Sequence, residues 1–149
     1  MSDWRYLGFN PPAMSESING VPISVSPSPY DVPEAVRSVY DESKRRFSIE
    51  FQYIGEEPLK SSDVDRGVRC LLGKNSGRLY GIDVYLDKAA LEDNSAASIL
   101  KVIVPSIDAL ASGGGREVRK RNYGFASQAV DNEKDSLFAV LESPASASA

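Results

Sequence analysis

Apolar and polar residues alternate most regularly in FSIEFQYI, residues 47–54. Phe47, Ile49, Phe51 and Tyr53 fall on one side, and Ser48, Glu50 and Gln52 on the other. A period of two over eight residues predicts a strand with one face in a core and one in solvent, as in an antiparallel sheet. A second alternating run, Val21, Ile23 and Val25, contains Pro22 and is followed by Pro27. Proline has no N–H to give to a ladder, so this strand is expected at a sheet edge. VRCLLGKNSGRLYGIDVYL, 68–86, predicts a hairpin. A three-residue loop, Asn75–Gly77 with Gly77 left-handed, sets Lys74 opposite Arg78, Leu72 opposite Tyr80, Cys70 opposite Ile82 and Val68 opposite Val84. The apolar sets of the two strands then coincide, whereas a slip of one residue separates them.

Helical patterns lie on either side of these strands. Residues 30–46 predict a helix: Asp31 suits an N-cap, Glu34 completes a capping box, Pro33 fits the first turn, and Val32, Val36, Val39 and Tyr40 form a stripe. Lys44, Arg45 and Arg46 would then sit at the favourable end of the helix dipole. The polar stretch 55–67 is expected to be a loop. Ile99, Leu100, Ile103, Ile107 and Leu110 predict a helix within 87–111, kinked or interrupted at Pro105. Residues 1–20 are expected to form an extended arm containing the aromatic cluster WRYLGF. The triple glycine at 113–115 predicts a break, followed by a basic linker, a short helical element within 131–141 and a low-complexity end.

These elements define an α+β fold. An antiparallel sheet, made of an edge strand plus a three-stranded meander, is covered on one face by two or three helices, with flexible N- and C-terminal arms. The expected organisation is an arm over 1–20, an α+β domain over 21–111 and a tail over 112–149.

Charge and composition narrow the chemistry. The net charge is −4, and residues 1–74 and 75–149 carry equal shares of it, so neither half is built as a polycation. The chain contains no histidine, which removes the commonest general base and metal ligand and every Ser-His or Cys-His relay. Its one cysteine, Cys70, permits no internal disulfide. No cofactor-binding glycine pattern and no metal-ligand set occurs, so neither a cofactor nor a metal is expected. No apolar run is long enough to span a membrane, and the first 20 residues lack the apolar core of a signal peptide, so a cytoplasmic setting is expected.

Three functional readings remain. The first is a small non-catalytic interaction module that binds a protein partner through its sheet face and terminal arms. Its contact residues would be Trp4, Tyr6 and Phe9 in the first arm, and Arg116, Arg119, Lys120, Arg121, Tyr123 and Phe125 in the second. The second is an RNA-associated protein. RNYGFAS, 121–127, resembles the aromatic motif of RNA-recognition domains: Arg121, Tyr123, Gly124 and Phe125 match its basic, aromatic, glycine and phenylalanine positions, while Asn122, Ala126 and Gln128 depart from it. That resemblance implies bases stacked on Tyr123 and Phe125 in a sheet, with salt-sensitive phosphate contacts from the cations. The third is a histidine-free hydrolase in which Glu50 and Asp83 share the solvent face of the sheet as an acid-base pair.

Overall fold

The computed structural model describes residues 4–7, 14–25, 29–112 and 117–142. The chain is α+β, built on a six-stranded antiparallel sheet with helices on one face. The strands are β1 (Arg5–Tyr6), β4 (Ala35–Asp41), β5 (Arg46–Gln52), β6 (Leu59–Asp65), β7 (Val68–Gly73) and β8 (Leu79–Tyr85), in the order β1-β4-β5-β8-β7-β6. A separate two-stranded sheet joins β2 (Met14–Ile18) to β3 (Val21–Val25). The helices are α1 (Ala96–Ser112), α2 (Glu117–Asn132) and α3 (Lys134–Glu142).

Strand β5 carries the expected alternation. Phe47, Ile49, Phe51 and Tyr53 are buried beneath the helices, and Phe47 stacks on Phe138 of α3 at 4.9 Å. The hairpin register holds from Val68↔Val84 through Cys70↔Ile82 to Leu71↔Gly81. It departs at the tip, where Leu72 pairs with Leu79 rather than Tyr80. Gly73 N–H donates to the Arg78 carbonyl, so Lys74 lies in the loop and does not pair with Arg78. Gly77 is left-handed (φ 76°), as its position in the turn requires.

The segment expected as a helix over 30–46 is strand β4, preceded by a short 3-10 turn at Pro29–Asp31. Val36, Ser38 and Tyr40 face the helices opposite Phe51, Ile49 and Phe47 of β5. The strand period is hidden because a serine faces inward and a valine outward. Ser38 is buried yet satisfied by donating to the Leu137 carbonyl at 2.6 Å, and Val39 is exposed. Asp31 does not cap a helix; it accepts from Arg78 Nε at 2.9 Å. The expected loop over 55–67 contains edge strand β6, whose polar side chains and bulge near Val64 suit an edge protected from further pairing. The 21–25 run is a strand as expected, but it pairs with β2 across an Asn19-Gly20 turn, outside the main sheet.

Helix α1 runs unbroken through Pro105. Ser95 caps it, its hydroxyl accepting from Ser98 N–H, and Ile99, Ile103 and Ile107 bury one face. The region expected as a basic linker is helix α2 from residue 117 onward, and the short helical element expected within 131–141 is α3. Tyr123, Ala126, Ala129, Val130, Leu137 and Phe138 complete the core. Residues 113–116 and 143–149 lie outside the described residues.

Candidate functional site

Helix α2 is held in place by polar bonds at its first turns. Asn122 is 1% exposed and makes three hydrogen bonds. Its Oδ1 accepts from Leu79 N–H at 2.9 Å, and its Nδ2 donates to the Asp31 carbonyl and to Tyr53 Oη, each at 2.8 Å. Tyr53 Oη in turn donates to the Leu79 carbonyl at 2.7 Å. Tyr123 Oη donates to the Gly77 carbonyl at 2.8 Å. Two adjacent α2 residues thus anchor the helix to the β7–β8 turn.

That turn is itself held by Glu57. Its carboxylate accepts from the backbone N–H groups of Asn75 and Ser76 and from the Ser76 hydroxyl, and Arg78 Nη1 lies 3.5 Å away. Burial pushes Glu57 up, but the Ser76 hydroxyl and the two amides outweigh it and hold the carboxyl below its ordinary value. The groups in this network are committed to one another, which marks it as a structural latch.

With α2 so placed, a groove of about 630 Å³ opens between α1 and α2. Leu100, Val104, Asp108 and Ala111 form the α1 wall, and Lys120, Gly124, Ser127, Gln128 and Asp131 the α2 wall; Ile107, Tyr123 and Val130 form the floor. Val104 is 38% exposed. Gly124 is exposed in mid-helix, and a Cβ added there would touch nothing within 4 Å. A helix-interior glycine costs about 0.8–1.0 kcal/mol relative to alanine. The isolated fold gives no packing reason for that cost.

The sequence-derived candidates are scattered. Trp4 is half-buried, its ring 4.3 Å from the Arg37 guanidinium, and Tyr6 is exposed beside it on edge strand β1. Phe9 and Arg116 lie outside the described residues, and Arg119 is described only as α2 backbone. Lys120 is exposed, Arg121 and Phe125 are half-buried, and Tyr123 is buried. The stretch that resembles an RNA-recognition strand is helical, so Tyr123 and Phe125 do not share a sheet face, and the Tyr123 ring is part of the core.

Glu50 and Asp83 do share the helix-free face of the sheet, but each is engaged separately. Glu50 Oε1 pairs with Arg37 Nε at 2.6 Å, and Asp83 Oδ1 accepts from Ser48 Oγ at 2.7 Å. Asp83, expected to be exposed, is 8% exposed. Cys70 is fully buried, and burial, reinforced by the Asp83 charge, pushes its thiol up to about 12. Among the described residues, no three or more of His, Cys, Asp and Glu gather to hold a metal, and no helix is long and apolar enough to cross a membrane.

Sequence reasoning misses the groove because the glycine-led, basic start of α2 suggests a linker. A helical signal is present. Asn122, Ala126, Ala129, Val130 and Leu137 recur at helical spacing, but alanine and asparagine register weakly as core. Neither a scan of known protein-family models nor searches of curated proteins and of solved structures gives a match.

Proposed function

We propose that this chain is a small, non-catalytic interaction module that binds a protein partner in the α1–α2 groove. The observation that carries this reading is Gly124, a destabilising residue exposed in mid-helix with open space above it. Glycine at such a position lets another backbone approach closely. The α1 wall supplies apolar contact at Leu100, Val104 and Ala111, and Ser127 and Gln128 supply hydrogen-bonding groups opposite. Apolar contact with a few placed polar groups is the usual make-up of a binding cleft.

The test is affinity capture from native extract by the wild type, Val104→Glu and Gly124→Leu. Both variants project into the groove without touching the core. A partner retained by the wild type and lost by two variants with native melting curves supports the reading. A partner retained equally by all three places the binding surface elsewhere.

A further inference from the structure

We propose that two copies of this chain join through the uncovered edge of β4, antiparallel about a two-fold axis at Val39. The inference is independent of what the α1–α2 groove binds.

The edge is open. β1 pairs with β4 only at Arg5↔Val36 and Tyr6↔Ala35, although β4 runs on to Asp41. Among the described residues, no strand pairs with the outer side of residues 37–41. The Arg45 carbonyl accepts from Leu86 N–H, so odd-numbered residues along β5 turn their amides and carbonyls to β8 and even-numbered ones to β4. Arg37, Val39 and Asp41 stand opposite even-numbered β5 residues and bond inward, which leaves the backbone groups of Ser38 and Tyr40 pointing outward. The β6 edge across the sheet is bulged, whereas the β4 ladder has no shift in register. A regular edge with free donors and acceptors is a template for another strand.

The occupant follows from the order of residues along the edge. A two-fold axis perpendicular to the sheet keeps each residue on the same face as its copy, so a residue can stand opposite itself. With Val39 opposite its own copy, Arg37 of each chain meets Asp41 of the other. Ser38 of each then meets Tyr40 of the other as a hydrogen-bonded pair. Val39 is 38% exposed, a large apolar side chain on the helix-free face that the pairing covers. Arg37 gives Nε to Glu50, which leaves its terminal nitrogens for a second carboxylate, and Asp41 Oδ2 stands 3.8 Å from Arg46, too far for a hydrogen bond. The β1 ladder ends at Arg5, and the Trp4 ring lies against the Arg37 guanidinium beside the seam. A base, an apolar residue and an acid at alternate positions are thus complementary to themselves when reversed, and opposite charges set across strands stabilise the pairing.

Sedimentation equilibrium of the full-length protein should show a concentration-dependent doubling of the 16.2 kDa mass. Arg37→Asp and Asp41→Arg each set like charges across the seam, and each should raise the dissociation constant about tenfold or more. Mixing the two variants restores both opposite-charge pairs in a heterodimer and should recover association. Both side chains also make contacts within their own chain, so recovery in the mixture separates loss of the interface from misfolding. Val39→Cys should give a disulfide-linked dimer on mild oxidation, because opposed residues of a non-hydrogen-bonded pair have Cα atoms about 4.5 Å apart, within disulfide reach. Lys60→Cys on the β6 edge should stay monomeric, and Cys70 is buried. The proposal is overturned by a wild type that stays monomeric at every concentration with no Val39→Cys dimer. It is equally overturned by a dimer indifferent to both charge variants, or by a mixture of them that associates no better than either alone.

Discussion

Gly124→Ala isolates the reasoning in one methyl group. In the free protein the added Cβ meets nothing within 4 Å and the backbone is helical, so no strain opposes it. The helix gains intrinsic propensity of about 0.8–1.0 kcal/mol. For a chain of this length that should raise Tm by about 2–4 °C. Thermal unfolding followed by circular dichroism measures the shift, and urea titration should show a higher midpoint at unchanged m, since the exposed area is the same. The same methyl group stands in the groove, so partner affinity should fall as stability rises. A neutral or destabilising Gly124→Ala would show that the fold itself requires this glycine. The argument that it is kept for an approaching partner would then fail.

Other consequences concern the frame around the groove. Asn122→Ala should destabilise by about 2–4 kcal/mol, because Leu79 N–H is left buried and unpaired and two further bonds are lost; a loss under about 0.5 kcal/mol in urea unfolding would mean that the bonds do not form in solution. Gly67→Ala should cost more than Gly20→Ala. Both residues are left-handed, but a Cβ on Gly67 also collides with the Lys88–Ala89 backbone while one on Gly20 meets nothing within 4 Å, so equal losses would count against that close approach. Cys70 should resist thiol reagents until denaturant is added. Its folded thiol is raised to about 12, so above about pH 8.5 the unfolded chain releases a proton that the folded chain retains, and stability falls by about 1.4 kcal/mol per pH unit. Stability measured from pH 8 to 10 should therefore slope less steeply in Cys70→Ala; parallel slopes would mean that the thiol is not buried.

The sequence is most readable where side-chain polarity and face agree. In β5 every apolar residue faces inward, and the central hairpin register follows from matching apolar sets because a slip would reverse them. Reading fails where one residue contradicts its face. Ser38 inside and Val39 outside give β4 the pattern of a helix, since a serine can be buried once a distant carbonyl, here Leu137, accepts its proton. The Asn19-Gly20 turn carries a legible hairpin signal inside a stretch whose overall composition suggests only an arm. At the tip the register shifts so that Leu72 pairs with Leu79 and not Tyr80, whose hydroxyl reaches Glu57 at 3.2 Å, a contact between residues remote in sequence. The candidate site is not legible. It depends on how α2 crosses α1, which is set by the bonds of Asn122 and Tyr123 to a turn more than 40 residues earlier.

The central claim is that the α1–α2 groove holds a partner protein. A photoreactive phenylalanine analogue at Val104, with a parallel substitution at Lys60 on the β6 edge, tests it inside the cells that make the protein. The account predicts a discrete adduct with a second polypeptide from position 104, none from position 60, and loss of the adduct when Gly124→Leu fills the groove. Adducts from position 60 alone, or an adduct at 104 indifferent to Gly124→Leu, would contradict it.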